Sequence, residues 1–463
     1  MRGLVAALHF VLFPASLYAQ QDEESRRRQQ EAERLQELER REFFGEPSEA
    51  FFFDYGAWLR PGWFVFRDGA QRDISRSDLD LRLWIDLRYG PHQLYARART
   101  VYMKYANGDG PEDRDEIVDG PAGDVVFYQL LLGELLGSPD RIWDASLRAG
   151  RQYVRLASGL VFNGVGDGLS ARGSVGPVEI DLFGLRAIEN EDDIDVSRPE
   201  ADNQFRYFVG GKATVRAIAD HAPFLAFLVE RDRGDDGEEF QEYEFDAEYY
   251  GAGIRGQLFL EGLIYDIEGW LQRGSRFAFL QTGRPEDVKA FALLASLEYS
   301  ISVRTHPQVR VGFLWGSGDP DRFRITNTEL GNVSGTDDEA FLGFGYLPTG
   351  YALAPLLSNL RILRAGASFR PLEGLDLWEL GWDTLEIGVE YYHYRKDHAQ
   401  GGISDPFAGF ESDRIGQELD VFLQWAVLSD VSVSARAGWF FPGSAYEEDR
   451  VRPFYSFSVV FSF

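Results

Sequence analysis

The chain has 463 residues, a formal net charge of −28, 14% aromatic residues, 49 glycines and no cysteine. The lack of cysteine excludes disulfides, thiol catalysis and cysteine-ligated metals, and the acidic balance argues against nucleic acid as a partner. Mean hydropathy is −0.28, and no later apolar run approaches the roughly 18 residues of a membrane-spanning helix, which excludes a helical membrane protein.

The first 46 residues form two segments. Residues 1–19 have an early Arg2, an apolar run and a cleavage site after Ala19, which predicts a secretory signal peptide. Leu17 stands where a small residue is expected, so a retained anchor is the alternative. Residues 20–46 are rich in Glu and Arg at i,i+4 spacing and predict a short charged periplasmic helix, with a solvated linker or a tether to the cell wall or a partner as alternatives.

From about Phe51 onward, apolar and polar residues alternate at period two. Between Ser77 and Arg88, leucines and an isoleucine occupy every second position, and charged residues and a tryptophan fill the others. A strand with one apolar and one charged face fits a wall between lipid and a polar lumen. Residues 51–463 are therefore predicted to form an all-β, transmembrane antiparallel β-barrel.

The connections alternate between short and long. Short turns are predicted at Gly90-Pro91, Gly176-Pro177, Asp220–Pro223, His306-Pro307 and Ser429-Asp430. Long polar stretches fall between them, at Asn107–Asp124, Glu189–Asp202, Arg231–Glu242, Ser317–Glu339 and Lys396–Arg414. Roughly 410 residues at ~22 per strand and connection give about 18 strands, and an even count places both termini in the periplasm. Whether the long loop from Ser317 to Asn359 folds into the lumen or stands outside is left open.

The last strand carries an aromatic and aliphatic stripe. Its members share one face of the segment from Pro453 and end the chain: Tyr455, Phe457, Val459, Phe461 and Phe463. A soluble sheet would leave this stripe exposed. The pattern resembles the C-terminal signal by which bacterial outer-membrane barrels are recognised for insertion, which implies outer-membrane lipid and the barrel-assembly machinery as partners.

Two passages resemble one known family, the alginate-export outer-membrane porins. Ser146–Gly159 contains Gly150-Arg151-Gln152, which matches that family's GRQ strand motif, and Gly416–Gly443 opens with the family's G-x-E-L-D pattern. The resemblance implies a monomeric channel in the outer membrane of a Gram-negative bacterium. It further implies that an anionic, alginate-like exopolysaccharide passes outward through an arginine-lined constriction, with periplasmic export components as possible partners.

Parity along the predicted strands selects the arginines of such a path. Those that oppose small or apolar neighbours are Arg97, Arg99, Arg148, Arg206 and Arg436, and Arg151 is added from the family motif alone. Guanidinium groups suit this role because they bind carboxylates through a planar fork and stay charged. Candidate counter-charges on inward faces are Asp80, Asp86, Glu386, Glu390, Glu418 and Asp420. These arginines either pair with the lumen carboxylates or form an electrostatic filter.

Other functions have less support in the sequence. The six histidines show no paired ligand spacing, and no His, Ser and Asp set stands out, so neither an enzyme nor a metal or cofactor site is predicted. Two alternatives to export stay open. One is a general or solute-specific uptake porin, and the other is a structural or adhesive barrel with a plugged lumen.

Overall fold

The computed structural model describes residues 48–106, 108–110, 114–136, 143–188, 194–195, 205–233, 245–276, 285–322, 328, 333–374 and 380–463. The predicted signal peptide (1–19) and the predicted periplasmic helix or linker (20–46) lie outside these residues. Among the residues described, no helix is long and apolar enough to cross a membrane.

The described chain forms 18 strands. They are β1 Ser48–Arg67, β2 Asp73–Gly90, β3 His92–Tyr105, β4 Glu116–Leu131, β5 Trp143–Arg155, β6 Asn163–Val175, β7 Val178–Arg186, β8 Arg206–Val215, β9 His221–Asp232, β10 Phe245–Gln257, β11 Leu263–Arg276, β12 Glu286–Ser300, β13 Gln308–Gly316, β14 Leu360–Phe369, β15 Glu386–Lys396, β16 Arg414–Leu428, β17 Val431–Pro442 and β18 Arg452–Ser462. One helical turn, Leu132–Leu135, follows β4, and a 3₁₀ turn, Trp382–Thr384, precedes β15.

Neighbouring strands in sequence pair antiparallel throughout, and β1 also pairs with β18. The sheet is thereby closed and has no free edge. Closure lets the backbone groups of the strands pair within the wall, which a strand-built membrane protein requires. The predicted barrel of about 18 strands is confirmed.

The two faces of each strand have opposite chemistry. On β2, Leu79, Leu81 and Leu83 are 38–53% exposed on the outer surface, whereas the alternating Asp80 and Arg82 are buried in the lumen. Side chains alternate between faces at period two, so an apolar outer band and a charged interior arise from the same strand. The buried side chains of this protein therefore lie inside the barrel.

Connections sort by length between the two ends of the barrel. The end that we call the turn end carries both chain termini of the barrel and mostly short connections, such as residue 91 and residues 429–430. The opposite loop end carries the longest connections, including 317–359 and 397–413. The predicted polar stretch Asn107–Asp124 is only partly a loop, because β4 already begins at Glu116 and Asp124 lies within it as a lumen charge.

Candidate functional site: the lumen and its inward loops

The first inward connection is the β5–β6 loop (156–162). Leu160, Val161 and Phe162 are buried. At its tip, the backbone N–H and the hydroxyl of Ser158 donate to the Glu268 carboxylate on β11, at 3.1 and 2.8 Å. Because β11 is five strands beyond β6, this contact carries the loop across the lumen.

The second inward connection is the β13–β14 loop (317–359). Near the loop end, the Asp338 carboxylate accepts from Arg276 at 2.7 Å and from Arg322 at 2.8 Å, and all three side chains are buried. Burial opposes ionisation of this carboxyl, but the charges of Arg322 and Arg276 outweigh it and lower the pKa of Asp338. These three residues form an ion triad that fixes the loop to β11.

Deeper in the lumen the two loops meet. The Leu342 N–H donates to the Gln272 side chain at 3.0 Å, and the Phe344 N–H donates to the Val161 carbonyl at 2.9 Å. The Phe344 ring packs on Phe208, with 5.2 Å between centroids. The described part of the 317–359 loop therefore folds into the lumen, which the sequence left open.

The loop also reaches β16, five strands beyond β11 around the barrel. Here the backbone N–H groups of Tyr351, Ala352 and Leu353 donate to the carboxylates of Glu418 and Asp420. These two acids were expected to be counter-charges for arginines. The structure shows instead that the two carboxylates accept three hydrogen bonds from the loop backbone.

Arg97 and Arg99 face the lumen on β3, as parity predicts. Arg97 binds Asp124 at 3.0 Å, Arg99 approaches Asp80 at 3.5 Å, and Arg82 reaches both carboxylates at 3.1 and 3.6 Å. Three guanidinium groups thus surround two carboxylates. We call these five residues the β2–β4 cluster.

Arg148 lies on the same lumen wall beside a recess of about 70 Å³. Its guanidinium stacks 3.8 Å above the Phe127 ring centroid and donates to Gln129. The recess is also lined by Arg172 and Lys212, which share the Asp181 carboxylate at 2.6 and 3.5 Å. Sequence reasoning missed Arg172 and Lys212, although Arg172 stands between Ala171 and Gly173 and parity would have selected it.

Arg206 and Arg436 contact residues of the strands and of the connections between them, which indicates a structural role. Arg206 is buried among Glu230, Asp232 and Asp195 at 2.8, 3.1 and 3.2 Å. Arg436 packs 5.2 Å from the ring centroid of Tyr351 in the inward loop. These two arginines hold the wall and the loop together.

Of the remaining counter-charge candidates, Asp86 lies inside on β2, and Glu386 and Glu390 share the lumen face of β15 with the buried Tyr392 and Tyr394. Asp86 accepts from Gln93 at 3.0 Å and binds Arg88, and Glu390 binds Arg310 at 3.1 Å. Arg88 shares β2 with Asp86, whereas Arg310 on β13 reaches Glu390 on β15 across Gly366 of β14.

Arg151 is not a lumen residue, contrary to the expectation from the family motif. It pairs with Asp167 at 2.9 Å, and the register places both on the face of the exposed Val126 and Leu169. Arg148 and Arg151 are three positions apart on one strand, which puts them on opposite faces. Of the GRQ motif, Gln152 is the side chain that points inward, where it bonds Ser170.

The C-terminal stripe lies on the outer surface. Tyr455, Phe457, Val459 and Phe461 share the outer face of β18, and Phe463, just beyond the strand, is 74% exposed. Ser456 and Ser458 occupy the lumen face, where Ser458 contacts Ser434 at 2.8 Å. This placement agrees with a lipid-facing terminal strand.

The barrel closure, the apolar outer band and the charged lumen define an outer-membrane β-barrel channel. The alginate-export family profile matches residues 144–454, more than half of the chain, and spans both motif passages. The chain belongs to the alginate-export family. No curated protein sequence matches it.

Several solved barrels share the fold. OccAB1 of Acinetobacter baumannii superposes with a TM-score of 0.56 at 11% identity, covering 89% of this chain and 96% of that chain. OpdK, an outer-membrane protein of Pseudomonas aeruginosa, gives 0.54 at 11% identity, covering 89% and 99%. OccK7 (OpdD) of Pseudomonas aeruginosa gives 0.52 at 13% identity, covering 89% and 98%. At these identities the likeness concerns the fold alone.

Proposed function

We propose that the protein passively conducts an anionic, alginate-like exopolysaccharide outward across the outer membrane. The observation that carries this proposal is the sharing of lumen carboxylates between cations. In the β2–β4 cluster three arginines surround Asp80 and Asp124, and near the recess Arg172 and Lys212 share Asp181. In both groups one carboxylate contacts more than one cation.

Cations that share a carboxylate at the lumen wall suit a polyuronate. A guanidinium stays charged and binds a carboxylate through two parallel hydrogen bonds, so successive uronate groups could exchange along the wall. Lys212 and Arg172 are 28% and 54% exposed, and Arg99 is 24% exposed, which leaves these groups accessible to a chain in the lumen.

The acidic residues of the lumen argue less strongly against an anion path than their number suggests. Glu268, Glu418 and Asp420 accept hydrogen bonds from loop backbone N–H groups and are buried. Burial beneath the loops removes these charges from the surface that a passing polymer would touch.

The proposal includes the orientation of the barrel in the outer membrane and the partners of the chain. Outer-membrane barrels place short turns in the periplasm, so the turn end and both termini are periplasmic. We propose that the chain is made with a cleaved signal peptide, is inserted by the barrel-assembly machinery through its C-terminal stripe, and works as a monomer in outer-membrane lipid. Residues 20–46 would reach periplasmic export components from the turn end.

The direct test is the reversal potential of single channels in a salt gradient, repeated with a polyuronate added. We expect anion selectivity and block by the polymer. Anion or cation conductance without block would favour an uptake porin, and the absence of conductance would favour a structural barrel.

Substitutions localise the effect. The double change Arg97→Gln and Arg99→Gln should shift the reversal potential toward cations and weaken polyuronate block, because it leaves Asp80 and Asp124 in excess. Arg151→Gln is the matched control, since it removes a paired arginine on the outer face. An equal shift in both variants would contradict the lumen path.

A further inference from the structure

The G-x-E-L-D motif on β16 has no evident part in anion conduction. Gly416 opens the motif, and Glu418 and Asp420 both point into the lumen, where they are 0% and 1% exposed. A buried carboxylate is costly unless donors satisfy it. The donors that these two carboxylates receive identify what the motif does.

Three consecutive backbone N–H groups of the β13–β14 loop supply them. Tyr351 donates to Asp420 at 3.0 Å, and Ala352 and Leu353 donate to the two oxygens of Glu418 at 2.6 and 2.9 Å. The Tyr394 hydroxyl on β15 adds bonds to the Thr349 carbonyl at 2.7 Å and to Glu418 at 3.2 Å. The three loop N–H groups and the carboxylates that accept their hydrogen bonds are 65 to 69 positions apart.

The loop is shaped to fit this wall. Thr349 closes the segment on itself by donating to the Pro355 carbonyl at 2.8 Å. Gly350 has a φ of +117°, and a Cβ there would lie 2.7 Å from a Glu418 oxygen and 2.4 Å from the Tyr394 hydroxyl. On the barrel side, a Cβ at Gly438 would lie 2.5 Å from Asp420. Glycine is needed on both partners for the carboxylates to reach the loop backbone.

From these contacts we propose that Glu418 and Asp420 are positioning residues that latch the β13–β14 loop across the lumen and thereby set the aperture of the channel. The anchor at Asp338 and the latch hold two points of the loop against different walls, β11 and β16. The segment between them contains Phe344, which meets the β5–β6 loop in the lumen. The inference requires that the barrel conducts, but not that it selects a polyuronate.

The chemistry predicts an order of effects. Glu418 uses both oxygens as acceptors, so Glu418→Gln loses one acceptor and turns an amide N–H₂ toward a backbone N–H. Asp420 uses one oxygen for the loop, so Asp420→Asn can keep its bond after an amide flip. Release of the loop should therefore be much greater in Glu418→Gln than in Asp420→Asn.

A matched control separates the latch from lumen charge. Glu390→Gln removes one negative charge from the adjacent strand, where Glu390 pairs with Asp420 in register and binds Arg310 rather than loop backbone. Any effect of lost charge alone should appear equally in Glu390→Gln and Glu418→Gln. Only the latch variant should free the loop.

Loop position can be read without conduction. The chain has no cysteine, and Ala352 is 1% exposed, so Ala352→Cys gives a single buried thiol in the latch. In vesicles, a maleimide added from the aqueous phase should react severalfold faster with this thiol when Glu418→Gln is also present. Single-channel conductance should rise severalfold in the same variant.

Equal labelling rates in Ala352→Cys with and without Glu418→Gln would overturn the latch, whatever the conductance. If Glu418→Gln does not insert, Tyr394→Phe tests the same latch by removing the hydroxyl that links Thr349 and Glu418, and it should raise labelling to a smaller extent. Polyuronate block belongs to the proposed substrate and is scored separately, so loss of block with unchanged labelling would count against the substrate and not against the latch.

Discussion

At the scale of single residues, Asp338 fixes the β13–β14 loop to β11. Its carboxylate balances two buried guanidinium groups, Arg276 and Arg322, and also accepts the Ala340 N–H at 3.0 Å. Glu268 and Glu418 bind loop backbone in a similar way. The lumen thus contains two kinds of acidic residue. Some bind the inward loops, and others, such as Asp181, form ion pairs with cations of the wall.

Removing the Asp338 charge should destabilise the protein more than removing an exposed acid. Asp338→Asn leaves Arg276 and Arg322 buried side by side, and breaking such a buried pair costs about 3–5 kcal/mol. The free energy of unfolding in lipid vesicles, measured with urea, checks this value. Asp337→Asn is the control, because Asp337 forms an exposed pair with Lys289, and a loss of equal size there would contradict the buried triad.

The same carboxyl predicts a pH dependence. Because the folded-state pKa of Asp338 is lowered, its stabilising contribution is complete above the ordinary aspartate value of about 3.9 and is lost only as pH falls through the lower folded-state pKa. The labelling rate of a cysteine at Ala340, which is 1% exposed, is divided by that of a free thiol at the same pH, because only the thiolate reacts. This ratio should stay low from neutral pH to about pH 4 and rise only below it. A rise already between pH 6 and 5, set by an ordinary histidine of about 6.5, would contradict this assignment.

At the scale of elements, the two inward loops narrow a barrel whose wall alone would leave an aqueous channel. Replacing residues 340–357 by a short glycine–serine linker should raise single-channel conductance, because Phe344 and the rest of this segment leave the lumen. Ion selectivity should shift toward cations, because the deletion uncovers Glu418 and Asp420, which now accept hydrogen bonds from this segment. Deletion of the exposed Glu447–Asp449 in the β17–β18 loop is the control, and a similar rise there would show that the inward loop does not restrict the pore.

The strands could be predicted from sequence, but the course of the inward loops could not. A strand can be predicted from its own residues, because period-two alternation is a local pattern. On β2, the residues from Ser77 to Arg88 alone indicate which side chains belong to each face. The inward loop depends on partners far along the chain, such as Gln272 for Leu342, 70 positions apart. Nothing in the local pattern around Leu342 points to that partner.

Among the site residues, parity was more reliable than the motif. Parity placed Arg97, Arg99 and Arg148 on the lumen face, where the structure has them. The motif suggested Arg151, although its distance of three positions from Arg148 already indicated the outer face. The roles of Glu418 and Asp420 could not be predicted, because a backbone N–H donor leaves no signal in the residue type.

At the scale of the whole molecule, the outer band determines stability in the membrane. Phe457 faces outward on β18 and is 46% exposed, so Phe457→Arg should destabilise the barrel by about 2–4 kcal/mol if it lies near the bilayer midplane. Ser458→Arg, one position along, places the same charge in the lumen and should cost less. Urea unfolding of both variants in vesicles tests the orientation of β18, and equal losses would contradict it.

The pairing of β1 with β18 has a consequence for the order of assembly. The first barrel strand is synthesised before all others, yet one of its two edges has its partner only in Arg452–Ser462, the last strand to be made. Until that strand arrives, the unfinished sheet has two open edges whose backbone groups lipid cannot satisfy. A chain that stops short of β18 therefore cannot rest in the bilayer as a partial barrel, and completion of synthesis is a precondition for insertion rather than its final refinement.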